Sequence, residues 1–201
     1  MLETRILQAA RLKGRLSMEA AATAAAVSVD QATAEVVRLR GLGLLKGDSS
    51  VRPTPEGKAH VADLVAAERG TIDRDALSAA YEEFDTHNTQ LKEVVSAWQL
   101  RDGDPNDHSD GDYDAAVLTR LTELHEAFRP LVERIATIAP RLTPYVARFD
   151  HALDQVNAGD HTYVARPITD SYHTVWFEFH EELIGLLGLS RAEEAAAGRA
   201  V

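Results

Sequence analysis

No aromatic residue precedes Tyr81 in this 201-residue chain, although five Phe, five Tyr and two Trp lie from there on. A first third packed from Ala, Leu, Val and Ile buries little area per side chain, so it can close only a small core around closely approaching helices. Seven of the eight histidines also fall in the later part, His60 being the exception. Charge divides in the same way. Residues 1–70 hold ten Lys plus Arg and eight Asp plus Glu, net +2, whereas residues 71–201 hold eleven and twenty-four, net -13. The boundary is expected at Gly70, which ends a periodic segment before the polar stretch Thr71-Ile72-Asp73-Arg74-Asp75. Such asymmetry implies two tasks, one for residues 1–70 and one for residues 71–189.

The whole-chain charge of -11 argues against a protein that coats nucleic acid over its entire surface, because phosphate binding needs cations where the polyanion sits. It leaves room for a small, locally basic reader. With no cysteine, the chain cannot rely on disulfides. No segment approaches the roughly 18 apolar residues of a membrane span. The opening MLETRILQAARLKGRLS lacks the apolar run of a signal peptide, so the expected location is cytoplasmic.

Leu2, Ile6, Ala9, Ala10 and Lys13 keep helical spacing, and Gly14 ends that helix. Ser17 is placed to cap an Ala-rich second helix from Met18 to about Ala26. Ser28, with Gln31 three residues on, forms the capping-box pattern opening a third helix, whose buried stripe is Ala32, Val36 and Leu39. Gly41 and Gly43 stop it. Leu44 to Lys46, a turn through Gly47-Asp48-Ser49-Ser50, and Val51 to Pro53 then read as a hairpin. Thr54 as N-cap and Pro55 at the first helical position open a fourth helix.

That order is the order of a winged helix-turn-helix. Residues Ala20 to Val65 resemble the DNA-binding domain of MarR-type and PadR-type repressors in three places. These are Val27-Ser28-Val29-Asp30-Gln31 at the recognition-helix entry, Val37-Arg38-Leu39-Arg40-Gly41-Leu42-Gly43-Leu44-Leu45 at its exit, and Thr54-Pro55-Glu56-Gly57-Lys58 after the wing. The resemblance covers a quarter to a third of the chain. It implies a third helix in the major groove of double-stranded DNA and a wing on phosphate or minor groove. The implied DNA-binding residues are Ser28, Gln31, Thr33, Ala34, Arg38, Arg40, Lys46 and Arg52, with Gln31 suited to an adenine edge and the cations to phosphates. Asp30, Glu35 and the uncharged-to-acidic tip Asp48-Ser49-Ser50 depart from a strong reader. The other use of such a fold is protein contact, with the arginines solvating its surface.

The later part reads as helices throughout, giving a fold that is mainly α: a winged helix-turn-helix of three helices and a hairpin wing, then an all-α bundle. Leu77, Tyr81, Phe84, Leu91, Val95 and Trp98 fit one long helix or two joined near Thr86-His87-Asn88. The loop Arg101 to Asp112 is dense in oxygen ligands. Aligning Gly111 with the glycine of a calcium loop leaves Val117 where a bidentate Glu is required, so the loop is expected to be exposed and metal-free. Asp114 is expected to open the next helix, Pro130 to bend it and Pro140 to end it. A further helix spans Leu142 to Val156, and Thr169 or Asp170 caps a last one from Ser171 to Leu187.

On that last helix Tyr172, Trp176, Phe179, Leu183 and Leu187 share one face, and His173, Phe177, His180, Glu181 and Ile184 a neighbouring one. The tail 190–201 has little to bury and should fray. Inward aromatics and histidines suit a pocket for a small apolar or aromatic effector, with Tyr81, His87, Trp98, His125, Tyr172, His173, Trp176 and His180 as candidate lining. The bundle loosely resembles the helical ligand-binding domains of fatty-acid-responsive GntR regulators, some of which hold a metal through an Asp and three His. That would require His87, His125, His173 and His180 to converge. Core histidines bonded to carbonyls or Tyr are the expectation, with no metal and no cofactor.

There is no Cys nucleophile, glycine-rich phosphate loop, nucleophile elbow or clear acid–base pair, so no catalytic residue is expected and the chain does not read as an enzyme. The expected function is a homodimeric DNA-binding transcription regulator whose helical part dimerises, binds an effector, or both, without membrane association. The alternative is a regulatory adaptor that uses the winged helix for protein contact. Clustering of Arg38, Arg40, Lys46 and Arg52 favours the regulator, and scattering favours the adaptor.

Overall fold

Six helices begin in the same way, with a Ser, Thr or Asp oxygen accepting from the backbone N–H three residues on: Ser17 from Ala20, Ser28 from Gln31, Thr54 from Gly57, Asp73 from Ala76, Asp110 from Tyr113 and Ser171 from Thr174. The computed structural model describes residues 1–190 and Glu194. The chain is mainly helical. In order it runs α1 (Leu2–Lys13), β1 (Leu16–Ser17), α2 (Met18–Ala25), α3 (Val29–Gly41), β2 (Leu45–Lys46), β3 (Ser50–Pro53) and α4 (Pro55–Arg69). Then follow α5 (Arg74–Gln99), β4 (Leu100–Arg101), β5 (Asp104–Pro105), α6 (Gly111–Ile138), a 3₁₀ turn (Pro140–Leu142), α7 (Pro144–Asn157), α8 (Thr162–Ala165) and α9 (Tyr172–Leu187).

The expected hairpin is part of a three-stranded antiparallel sheet of order β1-β3-β2, with Leu16 opposite Val51 and Lys46 opposite Arg52. The two-residue strand β1 is too short to show a period in the sequence. Gly57 lets the hairpin sit down on α4, because a Cβ there would fall on the Leu44 carbonyl oxygen, which already accepts from the Thr54 N–H.

Among the described residues two apolar cores form. Ile6, Leu7, Leu16, Ala32, Leu39, Val51 and Val61 belong to the first, without a ring among them. The second gathers Val65 and the aromatic residues of α5, α6, α7 and α9, Phe177 apart. Helix α4 serves both, since Val61 lies in one core and Val65 in the other. Trp176 is wholly buried between Phe84 and Phe128, at 5.1 and 4.1 Å between ring centroids, and its indole N–H donates to Asn88 Oδ1 at 3.0 Å.

Several local expectations are corrected. Of the two forms expected after Asp75, the single helix is found: α5 runs unbroken through Thr86-His87-Asn88, with Asn88 buried as the Trp176 acceptor. Asp110, not Asp114, caps α6, and Asp114 instead accepts from Asn106 and pairs with His108. Not every expectation changes: Pro130 lies inside α6, which ends at Ile138 ahead of Pro140, as expected. The stretch read as a simple exposed loop starts as the β4–β5 hairpin, and the link after α7 contains α8. Ser171 rather than Thr169 or Asp170 caps α9, leaving Asp170 free for ion pairing. The tail expected to fray falls, from 191 on and Glu194 apart, outside the described residues.

Candidate functional site

The exposed side of α3 and the hairpin beside it hold the eight residues expected to meet DNA, and the structure gives them unequal freedom. Ser28 and Gln31 are spent on each other: Ser28 Oγ accepts from the Gln31 N–H at 3.2 Å and Gln31 Oε1 from the Ser28 N–H at 3.0 Å. Thr33 is half-buried and Ala34 exposed. Arg38 donates to both Glu35 oxygens, at 2.8 and 2.7 Å, and to Glu3 on α1 at 2.5 Å. Glu3 also meets His60 of α4, so Arg38 is drawn toward α1 and α4. Arg40 reaches the hairpin tip, donating to Asp48 at 2.5 Å. Lys46 and Arg52 face each other across the two strands, exposed, with no ion pair among the described residues. The four cations therefore split, with three at the hairpin and one turned away. Val29, Val37 and Leu42 stand exposed on and after α3.

The eight residues proposed to line an effector pocket are not brought to one cavity. Trp176 and Tyr172 are fully enclosed in the aromatic core. His180 Nε2 meets the Tyr81 hydroxyl at 2.8 Å, and that hydroxyl donates to Glu194 at 2.6 Å. His125 is buried between the Tyr172 hydroxyl and Asp150, each at 3.3 Å, and burial lowers its pKa against the pull of Asp150. His173 is half-buried and lowered by burial alone. His87 meets Gln90, and Trp98 packs at a tilt against His108, 4.3 Å between ring centroids. Among the described residues, no group of three or more His, Asp or Glu side chains could hold a metal ion. Of the eight only Tyr81 borders a described cavity, with Arg74 and Leu187, because large rings at helical spacing fill the bundle axis themselves.

The open space lies elsewhere. A cleft of about 840 Å³ runs between the first part and the body, walled by the end of α1, β1 and α2 on one side and by α7, α8 and α9 with the segment before it on the other. At its floor a buried ion network joins the two parts. Lys13 Nζ lies 2.6 Å from Asp170 Oδ1 and 2.6 Å from Glu178 Oε1, the second contact lacking hydrogen-bond angles. Arg148 donates to both Asp170 oxygens at 3.1 Å and to Glu178 at 2.7 Å. Burial alone would raise the Asp170 carboxyl, but the charges of Arg148 and Lys13, with their hydrogen bonds, hold it down to about 2. Deeper in, Arg141 donates to Glu182 at 2.8 Å and Glu68 at 2.5 Å, Gln8 donates to Glu182 at 2.8 Å, and Arg5 donates to the Arg141 and Pro140 carbonyls.

None of these charges stood out in the sequence as functional. The signal was present: Glu178 and Glu182, four apart, fall within the most apolar helix, and Arg141 and Arg148, seven apart, lie on either side of Tyr145, with Phe149 next to Arg148. Charges on an inward stripe must find partners there.

Comparison of the chain with protein-family models, curated proteins and solved structures gives no match. Among the described residues no helix is long and apolar enough to cross a membrane.

Proposed function

We propose that the first 70 residues are a winged helix-turn-helix that reads double-stranded DNA, set on a mainly helical body that carries the short β4–β5 hairpin, in a homodimeric transcription regulator. The observation that carries this reading is the Lys46 and Arg52 pair, opposite each other on the hairpin, exposed and uncommitted, beside the outer face of α3. A hairpin so charged suits phosphates flanking the groove that α3 would enter. Arg40 can join them, because an exposed ion pair such as its contact with Asp48 is worth little and is easily exchanged for phosphate. Two copies would be needed, since each module offers few cations and half-sites are read in pairs.

A titration of the protein with the DNA upstream of its own gene, at two salt concentrations, tests this. Saturable binding is expected below about 10 μM. Lys46→Ala with Arg52→Ala should cut the salt slope by about two per module, while Asp48→Asn, which releases Arg40, should strengthen binding. An unchanged slope in the double variant would sink the reading.

The second reading, an adaptor gripping protein through α3, is favoured by the exposed Val29, Val37 and Leu42 and by the neutralisation of Arg38. Absence of salt-dependent DNA binding, together with loss of a protein partner in Val37→Glu, would establish it instead.

A further inference from the structure

The largest of the cavities described, the cleft between the first part and the body, is used by neither reading, and its lining is asymmetric. Most charges in it are already committed: Lys13, Asp170 and Glu178 to one another, and Glu19 to its own helix start, where the backbone and the Ser17 hydroxyl lower its pKa. Arg15 is the exception, an exposed cation at the rim with no ion pair among the described residues. Around it the walls are apolar, with Leu12 and Ala20 on one side and Phe177 and Ile168 on the other. Ile168 is the most unusual residue in the fold. Its φ is +75°, a left-handed conformation in which a β-branched side chain is strained, and that side chain is fully exposed. Strain and exposed apolar area thus coincide at the mouth of the cleft, and the exposed area leaves water if something apolar is covered by Pro167 and Ile168.

We propose that this cleft binds a small amphipathic organic anion, its acidic group on Arg15 and its apolar body between Leu12 and Phe177, with the segment before α9 closing over it. A volume of about 840 Å³ falls in the range of small-molecule sites. Both walls would touch the ligand, so binding would tighten the junction that already holds α1 to α9. The proposal goes beyond the DNA reading, and its test needs no DNA, so either can fail alone.

Calorimetric titration of the full chain with naphthalene-1-sulfonate, 1-naphthoate and the cation 1-naphthylmethylammonium provides the test. One saturable site is expected for the two anions and none for the cation, up to about 1 mM. Arg15→Glu should weaken sulfonate binding at least tenfold, and Thr23→Trp, from the exposed side of α2, should block it by filling the cleft. Ile168→Gly, which relieves the backbone strain and so should not lower the melting temperature, should still weaken binding at least threefold. Lys58→Glu, a distant charge reversal, should leave it unchanged. No binding of either anion, equal binding of the cation, or an affinity unmoved by Arg15→Glu and Thr23→Trp would overturn the proposal.

Discussion

Arg148→Met is expected to cost about 3–5 kcal/mol at neutral pH, because it strands Glu178 in the junction with only a poorly aimed Lys13 for company. The Arg148 and Glu178 side chains are 3% and 2% exposed, so no solvent screens the loss. For a chain of this length that corresponds to a fall in melting temperature of roughly 6–20 °C. The companion variant decides the cause. Arg148→Met with Glu178→Leu removes both members and leaves Lys13 paired to Asp170, so it should recover most of the stability, as apolar replacement of a buried pair commonly does. If the double variant is as unstable as the single one, the deficit comes from packing rather than from the unpaired carboxylate.

The same network sets an acid limit. The folded Asp170 carboxyl is depressed from its ordinary 3.8 to about 2, so it stabilises the fold above its unfolded value and ceases to do so as pH falls through the folded one. The shift is worth about 2 kcal/mol. Wild type should therefore exceed Asp170→Asn in urea stability at pH 6, and the difference should shrink between pH 4.5 and 2. A difference independent of pH would mean that the carboxylate charge is not what Arg148 and Lys13 hold.

Helix positions and caps were readable in the sequence because they depend on neighbours a few residues away. The Ser28 and Gln31 box, the Thr54-Pro55 start and the Ser17 cap are all found where local chemistry puts them. What the sequence hid depends on distant partners. Asp170 looked like a cap and is an ion-pair partner of α1 and α7, and Asp114 looked like a helix start and is the acceptor for Asn106 and His108. The histidines and rings of the bundle looked like a pocket lining. They are packing, because residues that face one axis from four helices fill it unless a smaller residue leaves a gap. The cleft could not have been read at all, since its walls come from residues 12–23 and 151–178, with Ser50 between them in the chain, and only tertiary packing brings them together.

Trp176→Ala is expected to be the most damaging single substitution in the body. Removing the ring costs about 3–5 kcal/mol in transfer and cavity terms, and Asn88 Oδ1, buried on α5, loses its indole donor for about 1–3 kcal/mol more. Since domains of this kind have only about 5–15 kcal/mol of stability, the variant should be partly unfolded at 37 °C. Its melting also reports whether the two parts stand or fall together. Helix α9 carries Trp176 in the aromatic core and, on the same sixteen residues, Glu178 and Glu182 in the junction with α1. Loosening the core should therefore release the first 70 residues as well. The distribution of aromatic residues makes this measurable: Trp98 fluorescence sees only the body, whereas helical circular dichroism sees both parts. Coincident melting curves are expected. A dichroism signal that persists above the fluorescence transition would mean that the ring-free core of the first part holds without the ion network, and that the junction links the two parts without coupling their folding.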